Sequence, residues 1–266
     1  MQFKLQKKRL KKKIIKVEYP VGMFKKKNYI HKALPFPIRA SHREYSMIAS
    51  THDDPSIPTS SLISLSLKAV EQAALMDLQE VALRMKTPPY FPNIWPGEHY
   101  KFLSGLVKVL APKVIVEIGT ATGTSALSMK KTLSRDGKIA TFDITSWQNY
   151  EDTLLKEKDF SDNRLVQYTD NLFYYENVEK HKNLLQSADL IFIDATHDGV
   201  LEEKIMQHFQ KLAFENPPIL IFDDIRVWTM LKMWRDIKHP KLDLTSFGHW
   251  SGTGIVQWTP QKAHLK

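Results

Sequence analysis

From residue 97 onward, short runs of branched apolar residues alternate with amphipathic stretches of helical period. The apolar runs are continuous rather than alternating, which is typical of strands buried on both faces of a sheet. Strands and helices in alternation build β-α-β units, and these form a parallel sheet with helices on both sides. The predicted strands are 114–117, 138–143, 164–168, 189–194 and 218–223; helices are predicted at 97–110, after Gly123, in a polar stretch before 164, and at 174–187, 199–214 and 225–238.

The two flanks of this region have other patterns. Residues 242–258 hold two short strand patterns around a glycine-containing turn, which predicts an antiparallel hairpin. Upstream, a broad apolar face predicts a helix from Ser60 or Ser61, as its cap, to about Met85. The predicted fold is α/β: a Rossmann-like, doubly wound, mostly parallel seven-stranded sheet with a C-terminal antiparallel hairpin and an N-terminal helical cap. The predicted division is a basic, flexible arm at 1–30, an irregular and helical cap at 31–96, and the sheet domain at 97–266.

Charge is concentrated at the start of the chain. Residues 1–30 carry eleven lysine or arginine residues against one acid, so the net charge of +9 belongs to this arm and the remainder is nearly neutral. The arm could bind nucleic acid, an acidic partner or an anionic membrane face, but its densest basic block, residues 7–16, has no interleaved aromatic residues. We therefore favour a solvated terminus over a polyanion-binding segment.

The composition excludes several classes of protein. Hydrophobic residues make up 42% of the chain, enough for a core, and no apolar run approaches the roughly 18 residues of a membrane-spanning helix. The chain has no cysteine, which excludes disulfides and thiolate metal sites. No secretory apolar segment is recognisable, so we expect a cytoplasmic protein by default.

The first strand leads into a turn with two glycines, in the segment VIVEIGTATGTSALSM at 114–129. Glycines at this position permit a tight turn and the close approach of a ligand to the backbone. The helix that follows offers free N–H groups to an anionic group. The spacing E-x-G-x-x-x-G differs from the G-x-G-x-x-G of dinucleotide sites, and there is no P-loop lysine.

Acidic residues stand at the ends of four predicted strands. Carboxyl ends of parallel strands meet at one edge of a sheet, where open α/β folds bind their ligands. Asp143 follows Glu117 by 26 residues, which places it to accept hydrogen bonds from ribose hydroxyls; the alternative is that it only caps a turn. The four strand ends carry Glu117, Asp143, Asp194 and Asp223, the last followed by Asp224.

The glycine turn resembles motif I of class I S-adenosylmethionine (SAM)-dependent methyltransferases. The similarity continues through Asp143, through TDN at 169–171, and from LIFIDATHDG to LIFDDI. Within that class the chain is most similar to small-molecule O-methyltransferases related to catechol and caffeoyl-CoA O-methyltransferases. The resemblance implies that residues 97–266 form a SAM-binding methyltransferase domain.

The resemblance also implies roles in binding SAM. Ser125 is expected to bind the cofactor's carboxylate, Asp143 its ribose, and Ile144 the adenine face. Asp170 is expected to accept from the adenine amine, although TDN is also an ordinary turn sequence. The turn under the methionine part is formed by Glu117, Gly119, Thr120 and Gly123.

In the group that the chain resembles, acids after the fourth and fifth strands hold a divalent metal. Asp194, Asp223 and Asp224 occupy those places, and hard oxygen ligands imply Mg²⁺ or a similar divalent cation. The general base of the group is often lysine, whereas His197 stands at that position here. His197 could take the proton, with Asp194 as its catalytic neighbour, or could support the site by hydrogen bonding alone. The carboxylates could also be plain strand-end caps.

The leading hypothesis is SAM-dependent O-methylation of a small-molecule acceptor. Alternatives are an RNA or protein methyltransferase that holds its substrate with the basic arm, and a cofactor-binding domain without catalysis. No Asn/Asp-Pro-Pro-Tyr/Phe signature follows the fourth strand, which speaks against the first alternative. The sequence leaves a homo-oligomer open. Residues expected to wall the acceptor pocket, or to serve as packing, are Trp95, Arg226, Trp228, His249 and Trp250.

Overall fold

The computed structural model describes residues 56–88, 90–227 and 229–259. Within them a seven-stranded sheet has the order β3-β2-β1-β4-β5-β7-β6, and only β7 runs antiparallel to its neighbours. This confirms the predicted fold class, including the C-terminal hairpin of β6 and β7. The strands are β1 (Val114–Ile118), β2 (Lys138–Phe142), β3 (Leu165–Tyr168), β4 (Leu190–Ile193), β5 (Ile219–Asp223), β6 (Lys241–Asp243) and β7 (Thr253–Gln257).

Helices cover both faces of the sheet. On one face α5 to α8 pack against inward-pointing residues such as Val116 and Ile191. On the other face α1, α3 and α4 pack against residues such as Ile115 and Leu190. The helices are α1 (Ser60–Leu75), α2 (Gln79–Ala82), α3 (Tyr100–Leu110), α4 (Thr124–Thr132), α5 (Tyr175–Lys180), α6 (Lys182–Gln186), α7 (Val200–Phe209) and α8 (Met230–Asp236).

The direction in which successive strands are added to the sheet changes between β1 and β4. Strands β2 and β3 lie on one side of β1, and β4 pairs with its other side. A crevice forms at such a switch point, outside the carboxyl ends of the two central strands. The glycine turn after β1 and the acid after β4 therefore meet at this edge.

Helix α1 is part of the layer on the sheet. Its buried residues Leu62, Ser66, Ala69 and Ala73 recur at helical spacing and share a core with α3. At the crossing, a Cβ on Gly105 would lie 2.5 Å from the Ala69 carbonyl oxygen, so only glycine permits this approach.

The helix predicted from Ser60 or Ser61 to Met85 is shorter in the structure. Thr59 is the N-cap, and its hydroxyl accepts from the Leu62 N–H at 3.1 Å. The helix ends at Leu75 because a backbone N–H in the next turn is hydrogen-bonded to a distant side chain instead of a helical carbonyl. The Leu78 N–H donates to the Asn93 side chain at 2.9 Å, and α2 begins only afterwards.

Three other helix predictions also need correction. The polar stretch between β2 and β3 forms only two 3-10 turns, because the loop is tied elsewhere: the Leu154 N–H donates to the Thr122 carbonyl at 2.9 Å. The helix predicted at 174–187 breaks at His181, whose ring binds Asp170. The helix predicted from 225 begins at Met230, because the Arg226 N–H donates to the Ser251 carbonyl.

Some predictions concern residues outside the described part of the chain. They are the basic arm at 1–30, residues 31–55 of the cap, and Trp228. Among the described helices, none has the length and apolarity required to span a bilayer.

Candidate active site

The turn after β1 has a backbone that requires glycine. Gly119 has φ +106° and Gly123 has φ +81°, both in the region that side chains disfavour. A Cβ on Gly119 would lie 1.7 Å from the Asp194 carbonyl oxygen, and one on Gly123 would overlap Leu155. The turn is therefore in direct contact with the end of β4, where the predicted catalytic residues begin.

Glu117 is fully buried beneath this turn. Its carboxyl accepts hydrogen bonds from Ser125 Oγ and Thr141 Oγ1, both at 2.5 Å. Burial raises the pKa of Glu117 to about 7, although the two hydroxyl donors partly oppose it. Ser125 is thus bonded inside the protein, and its predicted role toward a cofactor carboxylate stays a prediction.

Asp143 reaches from the end of β2 to the glycine turn. One carboxylate oxygen accepts from the N–H groups of Thr120 (3.0 Å) and Ala121 (2.9 Å), and the other from the Thr145 N–H (2.9 Å). The hydroxyl of Tyr150 lies 3.3 Å from both oxygens. Asp143 therefore caps the turn, as the alternative interpretation expected, and its ribose role stays a prediction.

The two adenine predictions lie at the same edge of the sheet. Ile144 is 72% exposed, so an apolar face beside Asp143 is open to a ligand. Asp170, after β3, is bonded by Lys180 and by His181 Nε2 at 2.7 Å. The Lys180 bond, followed by that of His181, lowers the pKa of this carboxyl. An adenine amine would have to share this carboxylate with Lys180 and His181.

Acids after β4 and β5 lie close to His197. The structure therefore brings together residues that were predicted as metal ligands and as the general base. Nε2 of His197 lies 3.3 Å from Asp194 Oδ1, and its Nδ1 lies 3.3 Å from Asp224 Oδ2. Both His197 (φ 53°) and Asp224 (φ 57°) have left-handed backbones, a conformation that costs energy and is concentrated at functional sites. The loop of His197 is secured by Glu202, which accepts its N–H at 3.1 Å, and by Thr229, which donates to its carbonyl.

Two further histidines complete the cluster. His99 is 2% exposed, and its Nδ1 lies 3.1 Å from Asp223 Oδ1. His249 Nδ1 lies 3.4 Å from the same oxygen and 3.3 Å from Asp224 Oδ1. Sequence reasoning missed His99 because it stands in the turn-rich segment before α3, where no motif or period marks it. His249 was expected only as a pocket wall.

The buried charges of the cluster shift one another's protonation. Burial alone would lower the pKa of His99, but Asp223, assisted by Asp194, raises it to about 9. His249 behaves likewise, and Asp223 and Asp224 raise its pKa to about 10. Burial and the charge of Asp223 raise the pKa of Asp194 to about 7. Asp223 itself is desolvated, yet both histidines hold its pKa well below the usual range.

The donor chemistry of the cluster fits a divalent cation. Two groups of three, His99–Asp223–His249 and Asp194–His197–Asp223, each have ligand atoms within 4.8 Å of one another. They share Asp223, and they contain imidazole nitrogens as well as carboxylate oxygens. The all-oxygen set Asp194, Asp223 and Asp224 stays a prediction.

Comparison with known proteins identifies the family of the chain. A family model described as O-methyltransferase matches residues 65–212, more than half of the chain. The chain belongs to this O-methyltransferase family. The family match ends before β5, so Asp223, Asp224 and His249 lie beyond it.

Two proteins of known name to which the chain is similar come from plants. The chain is 29% identical to "Caffeoyl-CoA O-methyltransferase" of Medicago sativa, over 53% of this chain and 56% of that protein. It is 24% identical to "Caffeoyl-CoA O-methyltransferase 1" of Zea mays, over 66% of this chain and 70% of that protein. The chain thus spans little more than half the length of the first relative.

Solved structures are similar at lower identity. The O-methyltransferase from Bacillus cereus, solved in complex with SAH, is 19% identical, with a TM-score of 0.46, covering 76% of this chain and 93% of that one. The O-methyltransferase TomG from Streptomyces achromogenes, in complex with SAM, is 15% identical, with a TM-score of 0.45, covering 72% and 90%.

Proposed function

We propose that the chain is a SAM-dependent O-methyltransferase that methylates a hydroxyl of a small molecule. The observation that carries this proposal is the contact between Gly119 and the backbone of Asp194. It brings a turn suited to a nucleoside cofactor against a carboxylate and imidazole cluster suited to an acceptor hydroxyl. Membership of the O-methyltransferase family supports the same reaction.

When bound, SAM supplies an already activated methyl group, so the chain's task is alignment and exclusion of water. Gly119 and Gly123 give the turn its left-handed backbone and let it pack against Asp194 and Leu155, and α4 directs its free N–H groups at the turn. Asp143 stands where ribose hydroxyls would lie, and Ile144 offers an apolar surface to the adenine. Thr120, whose N–H already donates to Asp143, belongs to the same cofactor surface.

The acceptor's proton is the second chemical requirement. His197 is 3.3 Å from both Asp194 and Asp224, which orient its ring at the carboxyl edge of β4. We assign it the role of general base, with Asp194 as its partner. A divalent cation bound at the cluster would lower the pKa of the acceptor hydroxyl.

Two exposed tryptophans lie close in sequence to histidines of the cluster. Trp250 is 83% exposed, and its ring lies 5.8 Å from that of His249. Trp95, 39% exposed, belongs to the segment that leads to His99. Such side chains favour a planar, partly apolar acceptor. Arg226, also expected as a wall, is bonded to Asp243 in the hairpin.

The test separates cofactor binding from turnover. S-adenosylhomocysteine is titrated by calorimetry into the wild type and into Asp223→Asn, and both are then assayed by mass spectrometry for methylation of a panel of hydroxylated acceptors. We expect equal cofactor affinity and loss of turnover only in Asp223→Asn. Absence of cofactor binding to the wild type would refute the proposal.

A cytoplasmic location remains our proposal. A homo-oligomer is left open, and contact of residues 1–30 with nucleic acid or an anionic surface is an alternative that we do not favour. Deleting residues 1–30 and measuring the salt dependence of RNA binding tests the last of them.

A further inference from the structure

Nitrogen donors dominate one side of the cluster. His99 on the segment before α3 and His249 in the β6–β7 hairpin approach Asp223 from two directions. These residues are distant in sequence, and the fold brings both imidazoles to one carboxylate oxygen. A hard-oxygen Mg²⁺ site does not use this arrangement, because Mg²⁺ is held mainly by carboxylates and water.

His99 carries an unsatisfied nitrogen inside the protein. Its Nε2 has no hydrogen-bond partner among the described residues, and it faces Asp194 Oδ2 at 3.8 Å. Leaving a buried polar atom unpaired costs about 1–3 kcal/mol. A histidine that binds a metal through one nitrogen commonly directs its other N–H at a carboxylate. Asp194 stands on that side of His99.

The spacing of the donor atoms suits shared coordination. Two ligands that are each about 2.1 Å from one ion are separated by about 3.0 Å at a right angle and about 3.4 Å at the tetrahedral angle. Nδ1 of His99 and Nδ1 of His249 lie 3.1 Å and 3.4 Å from Asp223 Oδ1. The Ser251 hydroxyl is 2.8 Å from Nδ1 of His249, and it also donates to Asp224, so it can turn to that carboxylate alone.

We propose that the cation of this site is a divalent transition-metal ion rather than Mg²⁺, held by His99, Asp223 and His249. Two imidazoles and one carboxylate suit ions such as Zn²⁺, Co²⁺ or Fe²⁺. The inference deepens the proposed function, and its catalytic meaning rests on that function, but binding of the ion is measurable without turnover. Because His197 is outside this set, it remains available to take a proton.

The chain's composition makes direct measurement simple. It contains no cysteine, so no thiolate competes for the ion. Untagged full-length protein, stripped with a chelator, is titrated with Co²⁺ while its visible absorption is recorded, and with Zn²⁺ in competition with a chromophoric chelator. We expect one high-affinity ion per chain and no displacement by millimolar Mg²⁺.

Two variants and one control assign the ligands. His249→Ala and the double variant His99→Ala/His249→Ala should lose Zn²⁺ affinity, the latter by more than about 100-fold, which exceeds the loss expected from a supporting group. His208→Gln is the matched control. His208 is also buried, and among the described residues its Nδ1 has no hydrogen-bond partner, while its Nε2 is hydrogen-bonded to the Phe173 carbonyl rather than to a carboxylate. It should bind Zn²⁺ like the wild type.

Circular dichroism shows which variants are folded. If loss of His99 prevents folding of the double variant, the Zn²⁺ affinity of His249→Ala alone still tests the proposal. The proposal is overturned if Mg²⁺ binds as tightly as Zn²⁺, or if folded His249→Ala retains wild-type Zn²⁺ affinity. S-adenosylhomocysteine titration of the same proteins distinguishes the two failures. Cofactor binding without Zn²⁺ binding refutes only the ion, and Zn²⁺ binding without cofactor binding refutes only the methyltransferase assignment.

Discussion

At the residue scale, Asp143 holds two functions in one carboxylate. Its oxygens already accept three backbone N–H groups around the glycine turn. A cofactor's ribose would add donors to an acceptor group that the protein has positioned. The same residue therefore shapes the turn and, in our proposal, recognises the ligand in it.

Replacing Asp143 tests this combination. We expect Asp143→Ala to weaken S-adenosylhomocysteine binding by about 10- to 100-fold, the effect of losing one or two hydrogen bonds to a charged group. Calorimetric titration measures it. Asp136→Ala is the control, because Asp136 is exposed beside Lys113 at the opposite end of β2. Equal affinity in wild type and Asp143→Ala would exclude the ribose assignment.

Glu117 predicts a pH dependence of stability. Burial raises the pKa of Glu117 to about 7 in the folded protein, from 4.5 for an unperturbed glutamate. A raised folded-state pKa stabilises the protein below the unfolded pKa, and this contribution is lost as the pH rises through 7. Between pH 5 and pH 8 the wild type should lose about 2–3 kcal/mol of unfolding free energy relative to Glu117→Gln.

Urea denaturation of both proteins at the two pH values measures that difference. The comparison with Glu117→Gln cancels the other titrating groups, provided that cation and cofactor are absent from both samples. Parallel pH profiles for the two proteins would mean that Glu117 is already ionised in the folded state at pH 5.

Sequence alone could predict the location of the strand-end acids, because a carboxylate directly after a buried apolar run lies at the carboxyl edge of a parallel sheet. It could not predict His99, because the path of an irregular segment depends on contacts made far along the chain. Glu98 and His99 fall at the start of the helix predicted over 97–110, and neither stands in a chemical motif. Only the fold shows that this imidazole reaches Asp223.

At the element scale, local pattern predicted most of the helices but not where they end, and the helix predicted between β2 and β3 is replaced by two 3-10 turns. The apolar period continues from α1 through Val81, yet the helix stops at Leu75 because Asn93 captures the Leu78 N–H. A partner 15 residues away is invisible to local periodicity. The strands were predicted more closely because their ends are marked by charge.

The crossing of α1 and α3 gives a prediction at this scale. A methyl group on Gly105 would lie 2.5 Å from the Ala69 carbonyl oxygen and 2.6 Å from the Ala73 nitrogen, both backbone atoms that cannot rotate away. Gly105→Ala should therefore force the helices apart and destabilise the protein by about 1–3 kcal/mol. Thermal unfolding measures the loss.

Gly137→Ala is the matched control for that variant. Its added methyl would meet Leu133 and Ser134 side-chain atoms, with Leu133 Cδ1 at 2.6 Å, and a leucine side chain can adopt another rotamer. We expect a smaller effect there. Similar melting temperatures for wild type and Gly105→Ala would show that the helix crossing adjusts without cost.

At the scale of the whole molecule, the switch point between β1 and β4 joins the glycine turn to the cluster of carboxylates and imidazoles. These strands have residues in both hydrophobic cores, since Val116 points to one face of the sheet and Ile115 to the other. A ligand bound at the ends of β1, β2 and β4 therefore contacts elements that both helical layers hold in place.

This arrangement predicts that cofactor binding stabilises the sheet domain as one unit. At 100 times its dissociation constant, S-adenosylhomocysteine should add about 2.7 kcal/mol to the free energy of unfolding. For a domain of this size that corresponds to a rise of about 5–10 °C in melting temperature. Scanning calorimetry should show a single transition that moves as a whole, and the shift should shrink in Asp143→Ala at the same ligand concentration. Two transitions, of which only one responds, would mean that the layers on the two faces unfold independently and that the shared strands do not couple them.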